Sequence, residues 1–219
     1  MKNWGGWVQQ VVFLWLSSLA VLIAVAMAVC PDGVCGIGDF DRGGLGLAHA
    51  LRSESLDVMM QGMTWFGSLL LLLPLTAALA WLLLRSRRRR EAGFLLLALL
   101  GASALGHVFK LWVARPRPDL FPALLDVPGD WSFPSAHAMQ ATAAAVAWLL
   151  VTRHNRAVWA IVLGFAVLLV GLSRIYLQVH FPSDVVAGIL AALLWVAGLH
   201  ALLLRPAVDG HRKPGEGAA

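Results

Sequence analysis

Three short polar segments interrupt an apolar sequence and contain the side chains best suited to chemistry. The last of them, Ser173–Asp184, places Arg174, His180 and Asp184 between two long apolar runs. Ionisable side chains are costly at a membrane boundary and are usually kept there for function. The two earlier segments supply four further candidates, which are Lys110, Arg117, Ser135 and His137.

The cations of these segments predict a phosphate-binding site. Lys110, Arg117 and Arg174 offer three positive charges. A guanidinium group matches phosphate oxygens bidentately, whereas lysine acts as a point charge. Ser135 follows a proline at the start of a predicted helix, where free amides and the helix dipole favour an anion and the hydroxyl adds a donor. Such a set would also stabilise the charge that develops on equatorial oxygens during phosphoryl transfer.

Two histidines predict the nucleophile and the proton donor. His180 and Asp184 are four residues apart and would share a helical face, although Pro182 makes the local turn irregular. An aspartate bonded to one imidazole nitrogen fixes the tautomer. The other nitrogen is then free to attack phosphorus and form a phosphohistidine. His137 is expected to act first as general acid and then as base toward water.

The remaining ionisable residues near these segments are given other roles. No cluster of metal ligands appears in the sequence, so the cations are expected to replace a metal, and no cofactor is expected. Three further histidines, His107, His154 and His200, are interpreted as packing or interface residues. His107 lies about one turn before Lys110, which leaves a supporting role open. Arg115 is either a second phosphate contact or a boundary charge and stays outside the predicted set.

The composition predicts a membrane protein. Of the 219 residues, 59% are hydrophobic and 13% are charged, and the mean hydropathy is +0.76. Several runs exceed the roughly 18 apolar residues that suggest a membrane-spanning helix. We therefore expect an all-α, polytopic fold within the bilayer. The net charge of +5 is attributed to topology, and no nucleic-acid partner is expected because no nucleic-acid-binding motif is present.

A bundle of six transmembrane helices is predicted over residues 1–204, followed by a short cytoplasmic tail over 205–219. The approximate spans are 7–29, 63–84, 92–113, 135–152, 157–178 and 184–204. A Gly- and Asp-rich loop over 30–47 and a short interfacial helix over 48–60 are expected between the first two spans. The first apolar run is long for a signal peptide and lacks a clear cleavage site, so we expect it to be retained.

The distribution of basic residues among the loops predicts the orientation of this bundle in the membrane. With six spans, the arginine cluster at 85–90, Arg153 and Arg156 share one side with both termini, which the positive-inside rule makes cytoplasmic. The helix ends that contain the three polar segments then meet at the outer boundary. Cys30 and Cys35 also lie outside, where they either form a short-loop disulfide or are two unrelated boundary residues.

The polar segments resemble the motifs of the type 2 phosphatidic acid phosphatase superfamily. That superfamily includes lipid phosphate phosphatases, bacterial acid phosphatases and vanadium haloperoxidases. Its first motif is Lys, six residues and Arg-Pro, which Lys110 to Pro118 matches. Its second is Pro-Ser-Gly-His, matched by Pro134 to His137 except at Ala136. Its third is Ser-Arg, five residues, His, three residues and Asp, which fits Ser173–Asp184.

The resemblance implies the roles argued above. His180 would be the nucleophile, Asp184 its partner and His137 the acid. Phosphate would be held by Lys110, Arg117, Ser135 and Arg174. Alanine at position 136 keeps the backbone amide but resists the positive φ that glycine tolerates, which implies an effect on rate or substrate shape.

The resemblance also implies a metal-independent lipid phosphatase of a bacterial inner membrane, with its site facing the periplasm or the exterior. Undecaprenyl pyrophosphate is the favoured substrate, ahead of phosphatidylglycerol phosphate and phosphatidic acid. A lipid A phosphatase, or a phosphotransferase that uses a lipid hydroxyl as acceptor, would use the same residues. A transporter fits less well because the charges cluster at one face. A hydrolase built on Ser135 would lack the Gly-x-Ser-x-Gly elbow.

Overall fold

The computed structural model describes residues 4–126 and 129–204, and all regular secondary structure within these ranges is helical. The tail predicted over 205–219 lies outside the described residues. Short 3₁₀ turns occupy Pro31–Gly33 and Trp65–Gly67. The α-helices of the described part are α1 Trp4–Val29, α2 Asp39–Ala50, α3 Glu54–Thr64, α4 Leu69–Arg85, α5 Arg89–Val113, α6 Ala136–Val151, α7 Arg156–Tyr176 and α8 Pro182–Leu203.

The helix lengths confirm an all-α membrane protein but not six full spans. Within the described residues, α1, α5, α7 and α8 are each long and apolar enough to cross a membrane. The segments 54–67 and 69–85 pass the same test together, with a bend of 46° between them, and would make a fifth span. The predicted fourth span corresponds to α6, which has 16 residues. At about 1.5 Å per residue it covers about 24 Å, which is short of a hydrocarbon core about 30 Å thick.

The core forms where α5, α6 and α8 pack on one another through small side chains. Fully buried alanines line this contact: Ala98, Ala102, Ala143, Ala147, Ala187, Ala191 and Ala192. Small residues let the backbones of membrane helices approach closely. α1 packs on α8 as well, and the buried Ser18 hydroxyl donates to the Ala191 carbonyl oxygen at 2.9 Å. This packing sets the relative positions of the helix ends that contain the polar segments.

Part of the segment predicted as a loop is helical. α2 begins at Asp39 after Gly38, whose backbone is extended, and its first turn contains two carboxylates where the helix dipole favours negative charge. Asp41 and Leu45 are buried against the rest of the protein. Tertiary packing therefore overrides the low helix propensity of the glycines in this segment. A disulfide joins Cys30 to Cys35 just before α2.

The region predicted as one interfacial helix over 48–60 contains a break. α2 ends at Ala50 and α3 starts at Glu54. Ser53 caps α3, because its hydroxyl accepts a hydrogen bond from the Leu56 amide at 3.4 Å. α3 then continues to Thr64, so its end comes close to the C-terminal end of α7.

The bend before α4 brings Gly67 against the first turn of α6 with no room for a side chain. A Cβ atom at position 67 would lie 2.9 Å from the His137 Cβ and 3.0 Å from the His137 carbonyl oxygen. It would also meet the Val170 side chain at 2.6 Å. Glycine at this position is therefore required by close backbone approach between the bend and α6.

We expect Gly67→Ala to destabilise the protein by about 1–3 kcal/mol, because the added methyl group overpacks this contact. Thermal unfolding in detergent measures the effect. Gly62→Ala in α3 is the matched control, since a Cβ there meets nothing within 4 Å. Equal unfolding temperatures for the two variants would contradict the packing argument.

Candidate active site

The C-terminal ends of α5 and α7, the start of α6 and the segment before α8 surround a cavity of about 280 Å³ lined by charged side chains. Most of the residues predicted to do chemistry line it: Lys110, Arg117, His137, Arg174 and His180. The rest of the wall is Ser68, Leu69, Leu70, Asp130, Ala136 and Gln140. Asp184 and Ser135 lie behind this wall and are fully buried. A larger, mostly apolar cavity of about 370 Å³ between α1 and α2 contains none of the predicted phosphate contacts or histidines.

An internal carboxylate occupies the cationic side of the cavity. The Lys110 Nζ atom lies 2.8 Å from Asp130 Oδ2, and Arg117 Nη2 contacts Asp130 Oδ1. Arg117 Nε also donates to the Asp130 carbonyl oxygen at 3.0 Å. The Asp130 side chain is 50% exposed, whereas those of Lys110 and Arg117 are only 5% and 8% exposed. One carboxylate at the cavity mouth therefore pairs with two buried cations and offsets one of their two positive charges.

Asp130 remains ionised over the ordinary pH range. Burial alone would raise its pKa, but hydrogen bonds from Lys110 and Arg117, together with their positive charges, lower the pKa to about 2. The unfolded-state pKa of an aspartate is about 3.9. The depressed folded-state pKa stabilises the protein above that value, and this contribution is lost as the pH falls through about 2.

Arg174 is fixed by α3 and directs its charge into the cavity. Its Nη1 atom donates to the Thr64 hydroxyl at 2.6 Å, and both residues are buried. Its Nε atom is buried and has no hydrogen-bond partner within the described part of the chain. The guanidinium group therefore has a buried donor available for an anionic acceptor.

His180 and Asp184 approach each other through the first turn of α8 and not through a shared helical face. The chain leaves α7 at Tyr176, and the His180 and Val179 amides both donate to the Arg174 carbonyl oxygen at 3.2 Å. Pro182 begins α8, a position where a missing amide hydrogen costs nothing. His180 therefore lies before the helix, and Pro182 does not disturb the contact.

Ser132 strengthens the coupling between the two side chains. His180 Nδ1 lies 3.5 Å from Asp184 Oδ2, which is long for a hydrogen bond. The Ser132 hydroxyl lies 3.4 Å from the same nitrogen and donates to Asp184 Oδ2. The Phe181 amide also donates to Oδ2 at 3.0 Å. The other ring nitrogen of His180, Nε2, lies 3.3 Å from Arg117 Nη1 in the cavity wall.

His180 is neutral at neutral pH. Burial, followed by the positive charges of Arg174, Arg117 and Lys110, holds the pKa of His180 well below its ordinary value. A neutral imidazole keeps a lone pair on one nitrogen, which a nucleophile requires.

The start of α6 places His137 in the cavity but Ser135 behind it. The Ser135 amide donates to the Asp184 carbonyl oxygen at 3.1 Å, which joins the first turn of α6 to that of α8. Its hydroxyl is fully buried and has no partner among the described residues. Ala136 is the first residue of α6 and does not have a positive φ. Alanine therefore fits the backbone at this position without strain.

Arg115 is neither a cavity cation nor a boundary charge. It is 1% exposed, and its Nη1 atom donates to Asp184 Oδ1 at 2.6 Å. Its Nη2 atom donates to Asp41 Oδ2 at 2.7 Å and to the Gly36 carbonyl oxygen at 3.3 Å. The guanidinium group thus joins α2 to the carboxylate that faces His180.

Sequence reasoning missed several residues that hold the site together: Asp41, Thr64, Asp130 and Ser132. Asp130 and Ser132 lie only a few residues before Ser135, and that proximity to a motif is the signal that could have singled them out. Thr64 and Asp41 carry no comparable signal, because each reaches the site from a helix distant in sequence. Among the described residues, no group of three or more His, Cys, Asp or Glu is placed to hold a metal ion.

The fold and the motifs define the class of protein. Residues 91–206 match the PAP2 superfamily model, and the chain belongs to that superfamily. The chain is 35% identical to phosphatidylglycerophosphatase B of Bacillus subtilis (strain 168) over 156 residues, which are 67% of this chain and 75% of that protein. It is 32% identical to undecaprenyl-diphosphatase of Sulfolobus acidocaldarius over 194 residues, 86% of each chain.

A solved structure is similar as well. The crystal structure of the transmembrane PAP2-type phosphatidylglycerolphosphate phosphatase from Bacillus subtilis superposes with a TM-score of 0.75 and 28% sequence identity. The match covers 87% of this chain and 96% of that one. The family resemblance drawn from the motifs is therefore confirmed.

We expect Asp130→Asn to bind inorganic phosphate about tenfold more tightly, because the internal anion no longer competes for Lys110 and Arg117. Isothermal titration of the detergent-solubilised protein measures this affinity. Asp119→Asn makes the same charge change at an exposed position of the same loop and serves as the control. Weaker phosphate binding by Asp130→Asn would mean that the carboxylate orients the two cations instead of competing for them.

Proposed function

We propose that this protein is a membrane lipid phosphatase that hydrolyses a phosphate monoester or pyrophosphate lipid through a phosphohistidine on His180. The observation that carries the proposal is the arrangement of three cations and two histidines around one cavity. Behind it lies a buried carboxylate next to the His180 ring. The named activities of the related proteins point to the same class of substrate.

In the first step, His180 Nε2 attacks phosphorus while Asp184 and Ser132 lie at Nδ1. The bond between phosphorus and the leaving oxygen breaks, and His137 donates a proton to that oxygen. Lys110, Arg117 and Arg174 stabilise the charge on the equatorial oxygens. The phosphoryl group displaces Asp130 from Lys110 and Arg117, since both anions need the same donors.

In the second step, water attacks the phosphohistidine. His137, now neutral, accepts a proton from the water, and the P–N bond breaks to restore His180 and release phosphate. Arg174 keeps its contact with Thr64 throughout and holds the phosphate with its remaining donors. We propose that the side-chain cations supply the charge stabilisation that a metal provides in other phosphatases, so the reaction needs no added metal.

A lipid substrate is supported by the way the cavity meets the membrane side of the bundle. Ser68, Leu69 and Leu70 form its wall at the start of α4, and Leu70 is 79% exposed. The head group would meet the cations while the tail follows this apolar edge into the bilayer. Undecaprenyl pyrophosphate is our favoured substrate, with phosphatidylglycerol phosphate and phosphatidic acid as the other candidates.

We further propose six spans with both termini in the cytoplasm of a bacterial inner membrane, in which α6 is a short fourth span and the bent segment 54–85 forms the second. A hydrogen bond supports the placement of the α4–α5 turn and the end of α6 at the same end of the bundle. Arg88, in the turn after α4, donates to the Val151 carbonyl oxygen at the end of α6. The arginines of this turn and those of the α6–α7 turn therefore share one end of the bundle. The cavity and the disulfide lie at the other end, which the positive-inside rule places outside.

The substrate class is tested by phosphate release from a panel of lipids in the presence of EDTA. The panel contains undecaprenyl pyrophosphate, phosphatidylglycerol phosphate, phosphatidic acid and lipid A, each in detergent micelles. Release from at least one lipid without added metal is expected. Activity that appears only after addition of a divalent metal would contradict metal independence. A ³²P-labelled donor would show whether the label leaves as phosphate or appears on a second lipid.

We expect His180→Ala to reduce turnover by at least about 10³-fold, because the nucleophile is lost. His137→Gln should slow release of the leaving group in a single turnover by roughly 10²-fold on a phosphate-monoester lipid such as phosphatidic acid, whose leaving alkoxide needs a proton. The loss should be much smaller on p-nitrophenyl phosphate, whose leaving group needs none. His154→Gln, in the turn between α6 and α7, is the matched control. Near-full activity of His180→Ala, or equal losses on both substrates for His137→Gln, would contradict the mechanism.

A further inference from the structure

We infer that Arg115 and Asp41 are positioning residues of this site, which hold the Asp184 carboxylate behind His180 and set its electrostatic environment. The inference rests on the phosphatase function proposed above. Neither residue belongs to the set predicted from the sequence. Neither contributes to the phosphate contacts of the cavity lined by Lys110, Arg174 and His180.

The contact geometry links three elements through one guanidinium group. Arg115 Nη1 donates to Asp184 Oδ1 at 2.6 Å, and Nη2 donates to Asp41 Oδ2 at 2.7 Å. The three side chains are 1%, 0% and 4% exposed, respectively. Because Ser132 and the Phe181 amide occupy Asp184 Oδ2, Arg115 is the group that holds the second carboxylate oxygen.

Asp41 accepts hydrogen bonds that fix the first turn of α8, which contains Asp184. The Ser183 amide donates to Asp41 Oδ1 at 2.9 Å, and the Ser183 hydroxyl lies 2.8 Å from Asp41 Oδ2. Arg115 also donates to that hydroxyl at 2.8 Å and lies over the Phe181 ring, 3.9 Å from its centroid. The first turn of α8 is therefore fixed from α2 and from the loop after α5. Rotation of this turn would move Asp184 away from the His180 ring.

The charges of Arg115, Asp41 and Asp184 also affect how easily the His180 imidazole is protonated. Arg115 lies between two buried carboxylates, so its positive charge is shared between them. Loss of Arg115 would leave two negative charges behind His180 and stabilise the protonated ring. Loss of the Asp41 charge alone would leave Arg115 paired with Asp184 only. One negative charge fewer near His180 would destabilise the protonated ring. The two substitutions therefore have opposite electrostatic effects on one histidine.

Other ionisable groups face His180 and Asp184 from every element packed around them. These are Lys110 of α5, Arg117 of the loop after α5, His137 of α6 and Arg174 of α7. Asp130 lines the same cavity as His180. None of them is altered in the proposed variants. The difference between the two substitutions therefore isolates the Arg115–Asp41 pair.

The experiment compares Arg115→Gln and Asp41→Asn in steady-state assays of the purified full chain. We expect kcat to fall by roughly tenfold to a hundredfold with KM changed by less than about threefold, since geometry changes but phosphate contacts do not. Asp39→Asn and Arg42→Gln, which alter exposed residues of α2, are matched controls and should behave like the wild type. Arg115→Lys keeps the charge and should recover part of kcat.

The pH dependence separates positioning from simple loss of structure. The acidic limb of kcat/KM, which reports protonation of His180, should move to higher pH in Arg115→Gln and to lower pH in Asp41→Asn. Titration of the His180 imidazole ¹³C resonance should show the same opposite shifts without any turnover. If either variant fails to fold, Ser183→Ala removes hydrogen bonds to both residues without a change of charge, and its kcat should fall with KM unchanged.

Two sets of results would overturn the inference. One is a raised KM with unchanged kcat, which would make Arg115 a phosphate contact. The other is an unchanged kcat in both variants, together with His180 titrations that do not shift or that shift in the same direction. A wild-type protein that releases no phosphate from any lipid would refute the proposed function instead, and the resonance titration would still decide the role of the pair.

Discussion

A fully buried carboxylate at the start of α8 is the constraint on which this site depends. Asp184 has no contact with solvent, so its charge must be met by donors inside the protein. Arg115 and Ser132 supply donors from the two ends of the α5–α6 loop, and the Phe181 amide supplies one from the turn that begins α8. Satisfying one charge therefore brings three segments together, and His180 lies among them.

The site also illustrates how clustered cations are accommodated near a membrane boundary. Lys110 and Arg117 are almost completely buried and would repel each other without a counter-charge. Asp130 supplies that charge from a more exposed position, and Arg174 is held apart by Thr64. In the proposed reaction, a dianionic phosphate replaces Asp130 at the same donors. Under that proposal, the Asp130 carboxylate holds the two cations in place until an anion of higher charge displaces it.

The motif residues could be predicted from the sequence because their chemistry is encoded by residue type and short spacing. Lys110, Arg117, His137, Arg174 and His180 all line one cavity, as the three polar segments indicated. The all-α membrane fold was also predictable, since long apolar runs have few alternatives to helices in a bilayer. The prediction was wrong for the segment 39–47, where buried contacts of Asp41 and Leu45 make a glycine-rich stretch helical.

The sequence by itself indicated which polar residues line the cavity and in which order the helices follow. Only the tertiary structure decided how Asp184 is held and what Arg115 does. The Arg115–Asp41 and Arg174–Thr64 contacts join residues 74 and 110 positions apart. Local periodicity and spacing describe neighbours along the chain, whereas the burial of a charge depends on which distant helix packs against it. The partners of buried charges therefore emerge only when the bundle is assembled.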